Sequence, residues 1–160
     1  MRLPIGFAAA ALLAAAALLA AAAPAQAQDA QSALWDASIS GDTVALVKAL
    51  DEGAKVDSLD TRRSVNGRRP LNWAAYHNHA AAVRILLDRG APIEATNLTG
   101  FTALHHAAEA GSLEAAEVLL GRGANVGTTN AHGMTPIETA RERGHPTLVA
   151  ALEKAAAAKK

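Results

Sequence analysis

The chain has 160 residues, no cysteine, and 15 basic against 15 acidic side chains. That balance gives no general electrostatic reason to bind nucleic acid or an anionic membrane surface. The missing cysteines exclude disulfides, thiolate metal sites and a lipidated cysteine, so a reducing or an oxidising compartment would suit it equally.

The first predicted element is a leader. Met1 and Arg2 supply a short positive start, and Ile5 to Ala23 carries no charge, with Leu12, Leu13, Leu18 and Leu19 set among alanines. Pro24 stops a helix there, and Ala25-Gln26-Ala27 presents small residues at both positions a signal peptidase reads. The expectation is a secretory signal over residues 1–27, cleaved after Ala27. The 19 uncharged residues approach the ~20 that span a bilayer, but alanine contributes little to insertion and Pro24 favours removal over anchoring. The Ala-rich style and PAQAQ ending resemble Gram-negative bacterial signals, so the expected address is the periplasm.

A repeat of 33 residues organises the rest, residues 28–160. Gly67, Gly100 and Gly133 are so spaced, as are Leu71, Leu104 and Ile137, then Ala74, Ala107 and Ala140, then Leu86, Leu119 and Leu152. An earlier unit (Leu34, Ala37, Gly41, Leu50, Gly53, Ala54) keeps the internal spacings four residues out of phase, with the extra residues between Asp57 and Gly67. The expected units cover about 33–65, 66–98, 99–131 and 132–154.

Within the third unit, Gly100 permits a positive-φ turn at the end of an extended finger. Thr102 can cap the next helix through its hydroxyl. Leu104, Ala107 and Ala108 form a small-residue face, and Gly111 ends that helix in a left-handed conformation. Leu113, Ala116, Val118, Leu119 and Leu120 face a second helix that Gly123 ends. Neither helix buries its face alone, so the units must stack. With aromatics at 3%, the fold class is all-α with an Ala/Leu/Val core: a solenoid of about four helix-turn-helix units with short β-hairpin-like fingers.

Arg69-Pro70-Leu71-Asn72, Thr102-Ala103-Leu104-His105 and Thr135-Pro136-Ile137-Glu138 stand where the ankyrin repeat carries T-P-L-H. Asp88-Arg89-Gly90-Ala91-Pro92-Ile93 and Gly121-Arg122-Gly123-Ala124-Asn125-Val126 look like its x-x-G-A-D-V. The chain therefore resembles the ankyrin-repeat family from about Ala33 to Leu152. Only His105 keeps the tetrapeptide histidine. Asn72 and Glu138 replace it elsewhere, so its hydrogen bonds must be met differently there. The first unit lacks the tetrapeptide, and the last carries Arg141, Glu142, Arg143 and Glu153, as terminal caps with a solvated face would.

Chemistry-bearing motifs are sparse. There is no nucleophile–base arrangement and no phosphate-cradling glycine loop, so no catalytic residue and no cofactor is expected. His77, His79, His105 and His106 are the nearest approach to a metal site, which needs three or four converging ligands. His77 and His106 could share a concave surface, whereas His79 and His105 take structural roles, and no metal is expected. Trp35 and Trp73 read as core. Arg62, Arg63, Arg68 and Arg69 read as a solvated loop, with a patch for an acidic partner as the alternative. Asn97-Leu98-Thr99 matches a glycosylation pattern but reads as a finger tip.

The resemblance implies binding of another protein on a concave side built from finger tips and first helices. Carried over by position, the finger set is Arg68, Leu98, Thr99, Phe101, Ala131, His132 and Met134. The helix set is Tyr76, His77, Glu109, Ala110, Glu142 and Arg143. Phe101 and Met134 follow finger glycines, where interface contact and packing between fingers are equally open. The expected function is a non-catalytic, monomeric interaction module in the periplasm. Its partner is a protein, not nucleic acid, and not a membrane once the signal is cleaved. Resemblance to small exported bacterial ankyrin proteins suggests peroxide defence beside a catalase, or an immunity or inhibitor role. The alternative is a periplasmic metal- or small-molecule-binding protein.

Overall fold

The computed structural model describes residues 26–63 and 65–158. The expected signal falls almost entirely outside them. Among the described residues, no helix is long and apolar enough to cross a membrane.

Among the described residues, eight helices form four antiparallel pairs. Helix α1 covers residues 26–40. It is followed by α2 (Thr43–Asp51), α3 (Pro70–Tyr76), α4 (Ala80–Asp88), α5 (Ala103–Ala110), α6 (Leu113–Gly121), α7 (Pro136–Glu142) and α8 (Pro146–Ala158). First helices stack on first helices, α3 on α5 and α5 on α7, while α2, α4, α6 and α8 form a second row. Both ends are more helical than the repeat boundaries suggest. The chain is already helical at residue 26, and α8 continues past Leu152 to Ala158 through an alanine-rich segment whose helix propensity favours extension.

The two inner first helices, α3 and α5, are buried nearly all round. In α5, Ala103 to Ala108 are all buried, and Ala107 and Ala108 let α3 and α7 approach closely. The second helices bury one face each: Ala82, Val83 and Leu86 in α4, then Ala115, Ala116 and Leu119 in α6. One continuous apolar cluster runs from Ala30 through Leu34, Leu71, Leu104 and Leu119 to Leu152. Burial at about 25 cal/mol per Å² is what offsets the ordering of so short a helix.

Polar side chains fix the register between units. The residue opening each of α4, α6 and α8 binds a backbone carbonyl of the preceding unit. His79 Nε2 donates to Ile39 O (2.9 Å), Ser112 Oγ to Tyr76 O (2.9 Å) and His145 Nε2 to Glu109 O (3.2 Å). Each follows directly on the positive-φ turn residue of its own unit: Asn78, Gly111 and Gly144 respectively. Gly111, at φ 74°, shows why that turn is tight: a Cβ there would lie 2.7 Å from the His145 ring.

The fingers are hydrogen-bonded turns with a single bridge, Asp60 to Arg68, among the described residues. Asn97 and Asn130 shape two of them. Asn97 Oδ1 accepts from the amides of Thr99 and Phe101, and Asn130 Oδ1 from those of His132 and Met134. Neighbouring fingers are joined by the Leu98 amide to Asn66 O (2.9 Å) and the Ala131 amide to Thr99 O (3.1 Å).

Candidate partner-binding face

The finger row and the first helices meet along one side of the stack, where α3, α5 and α7 are kept in line by their capping boxes. In α5, His105 Nδ1 accepts from the Thr102 amide (3.2 Å) and lies 2.8 Å from the Thr102 hydroxyl. Its Nε2 then carries the proton and donates to Met134 O (3.0 Å), tying α5 to the next finger. Asn72 Oδ1 takes the Arg69 amide in α3 (2.8 Å), and Glu138 Oε2 takes the Thr135 amide in α7 (2.7 Å). Three different side chains thus make one box. The link to the next finger that Asn72 is too short to make is supplied by Arg69, whose Nε donates to Thr96 O (2.9 Å).

At the centre of this face Arg68, Glu109 and three rings lock together. The Arg68 guanidinium lies 4.5 Å from the Trp73 ring centre and 4.3 Å from that of Tyr76, and its Nη2 is 3.6 Å from Glu109 Oε2. Glu109 also meets His106 Nδ1 at 3.3 Å and Arg143 Nη2 at 3.4 Å. The hydrogen bond from His106, with the positive charges of Arg68 and Arg143, holds its carboxyl below the usual range although burial opposes this. Phe101 stacks on His106 at 5.5 Å, tilts over His105 at 5.6 Å and meets His132 edge-on at 6.1 Å. A shallow recess of about 80 Å³ lies between Asn66, Arg68, Phe101 and Glu109.

These contacts sort the residues expected to bind. Leu98, Ala131, His132 and His77 are exposed, Leu98 at 62%. Glu142 and Arg143 are exposed at the last unit. Thr99, Phe101, Ala110, Met134 and Tyr76 are half-buried and line the same side. Arg68 and Glu109 are largely satisfied by each other and by the rings. His106, expected on the surface beside His77, is instead buried under Phe101, and burial pushes its pKa down. Among the described residues no group of three His, Asp or Glu side chains converges to hold a metal ion.

Of the four arginines of the longer connection, Arg62 and Arg63 are exposed as a solvated loop would have them, yet ion-paired, whereas Arg68 and Arg69 are half-buried. Arg62 forks onto the fully buried Asp60 through Nε (2.9 Å) and Nη2 (3.1 Å), reaches Asp36 and covers the half-buried Trp35 ring at 4.6 Å. Burial raises the Asp60 pKa, but the Arg62 side-chain and backbone hydrogen bonds and its charge outweigh that, leaving it lowered. Arg63 pairs with Asp36 and Arg69 with Asp57. The inserted residues thus staple the second finger to the N-terminal cap. Asn97 and Asn130 were the residues sequence reasoning missed, and their own 33-residue spacing was the signal.

A stack of helix pairs with hydrogen-bonded fingers and T-P-L-H-type boxes defines a helical-repeat solenoid. The chain belongs to the ankyrin-repeat family: the model described as "Ankyrin repeats (3 copies)" matches residues 8–97, 33–130 and 92–159. It is 34% identical over 82 residues to the "Ankyrin repeat domain-containing protein SAT10" of Stachybotrys chartarum, covering 51% of this chain and 4% of that protein. It is 45% identical over 49 residues to the "Probable palmitoyltransferase AKR2" of Saccharomyces uvarum, covering 31% of this chain and 7% of that one. The chain therefore spans a small fraction of either relative, and the likeness to the second is confined to the repeats. Ankyrin repeats mediate binding to other proteins and are generally non-catalytic.

Proposed function

We propose that this chain is an exported, non-catalytic binding module that holds a partner protein on its concave face and finger tips in the bacterial periplasm. The observation that carries it is the division of labour along that face. Its inner side chains are tied into the stack, while Leu98, Ala131 and His132 are exposed at the finger tips and His77 is exposed beside Trp73, Tyr76 and His79. A partner would meet an apolar and aromatic strip on a preorganised scaffold, which lowers the ordering cost of association. The export half of the proposal rests on the leader's charge, apolar run and Ala25-Gln26-Ala27 ending.

The test is capture from a periplasmic extract on immobilised protein from Gln28 onward, beside Leu98→Glu, Ala131→Arg and His77→Glu in one chain. These positions are exposed, so stability is expected to stay within about 0.5 kcal/mol for each. A protein retained by the parent and lost by the folded triple variant supports the proposal. Equal capture by both shows that the partner sits elsewhere, and an N-terminus still beginning at Met1 in cells overturns cleavage.

A further inference from the structure

We infer that Phe101 is a lid over His106 which mild acid opens, so that the face built from the fingers and first helices takes a second form. His106 is 2% exposed; Phe101 stacks on its ring at 5.5 Å and Tyr76 meets it edge-on at 6.4 Å. Its Nδ1 lies 3.3 Å from Glu109 Oε2. An ionised carboxylate only accepts, so Nδ1 carries the proton and Nε2 holds a lone pair. Nε2 is buried and has no hydrogen-bond partner among the described residues. The arrangement therefore suits a neutral ring. A second proton would make Nε2–H a buried cationic donor with nothing to accept it, which is costly.

Water reaches that nitrogen when Phe101 swings away, and the finger lets the ring move alone. Asn97 Oδ1 accepts the Phe101 amide (2.9 Å), and the Asn97 amide donates to Phe101 O (3.0 Å). Neither bond involves the Phe101 side chain, so a change of its χ1 leaves both in place. The ring is half-buried and borders the recess beside Arg68 and Glu109.

The groups around His106 give the change its sign. His105 and Glu109 share α5 with it, and Arg68 and Tyr76 approach from the α3 side. Arg143, at the end of α7, holds the other oxygen of Glu109, and His132 of the fourth finger lies across Phe101. Burial pushes the pKa of His106 below its ordinary 6.5, Glu109 offsets part of that, and Arg68 adds to it. Uncovered, the ring regains its ordinary value, so below that pH the open form binds more protons than the closed one. The ratio of open to closed then rises by up to about tenfold per pH unit until the lowered value is reached.

The experiment follows the folded protein, isotopically labelled in histidine and phenylalanine, by NMR from about pH 7.5 to pH 5. At neutral pH, His106 is expected with its proton on Nδ1 and in close contact with the Phe101 ring. Toward acid, that contact should fade in step with His106 protonation while far-ultraviolet circular dichroism stays constant. His106→Leu, which cannot titrate, should keep Phe101 against residue 106 throughout. If that variant does not fold, the parent chain decides alone. Protonation of His106 with Phe101 still in contact overturns the lid. So does loss of the contact while His106 is neutral, its loss in a folded His106→Leu, or a His106 that stays neutral and covered until the helices unfold.

Discussion

His105 shows how much one side chain can carry in this fold. Its ring accepts from the Thr102 amide at one nitrogen and donates to Met134 O at the other, so only the neutral Nε2–H tautomer satisfies both. Replacing it by alanine removes a helix cap and orphans buried groups, and is expected to cost about 2–3 kcal/mol in urea unfolding. His105→Asn rebuilds the box that Asn72 makes in α3 and loses only the link to the finger, so its cost should be about half that. Burial lowers the pKa of His105 and His106, with the Met134 carbonyl and Glu109 respectively offsetting part of it. Between the lowered folded values and the ordinary 6.5 the unfolded chain binds more protons, so stability rises with pH there. The contribution is complete above about pH 6.5 and is lost as pH falls toward the folded values. Glu109 and Asp60, both lowered, add a second loss as pH falls below their ordinary values near 4. Urea midpoints measured from about pH 7.5 to pH 5 should fall, and His105→Asn should flatten that fall.

At the scale of the helix and its turn, glycines at equivalent positions are not equivalent. Gly111 and Gly144 both have φ near 75°, where a side chain costs about 1–2 kcal/mol. A Cβ on Gly144 meets nothing within 4 Å, whereas on Gly111 it meets the His145 ring and threatens that ring's bond to Glu109 O. Gly144→Ala should therefore cost about 1–2 kcal/mol, and Gly111→Ala clearly more, in parallel thermal melts. Asn78 holds the same left-handed turn one unit earlier at φ 60° and uses its Oδ1 to take the Ala115 amide at the start of α6. The turn was legible from the 33-residue spacing of Asn78, Gly111 and Gly144. Its partner was not, because the ring that makes Gly111 indispensable belongs to the next unit.

Over the whole molecule, stability is shared between neighbours. Helix α5 packs on α3 and α7, and α6 on α4 and α8, so the third unit has no solvent-facing core side. Deleting residues 132–158 would expose the apolar flank of α5 and α6 that α7 and α8 cover, and remove the acceptor for His105 Nε2. The expected outcome is a lower urea midpoint and concentration-dependent association by light scattering. In the intact chain, hydrogen exchange should be slowest in α5, between α3 and α7, and fastest at the end of α8.

The number of units, their helical pairs and the turns between them follow from spacing alone, whereas the side expected to meet a partner came from the family resemblance. A 33-residue period with glycine and alanine at fixed places allows one packing solution in which every helix buries its small-residue face. The tertiary structure decided which side chains on that side stay exposed. His106 looked like surface until Phe101 was found across it, and Arg62, Arg63 and Arg69 carry ion pairs to Asp60, Asp36 and Asp57 that no spacing announces. Those contacts join residues of different units or of the inserted connection, where the period is silent and only distance in space sets the energy.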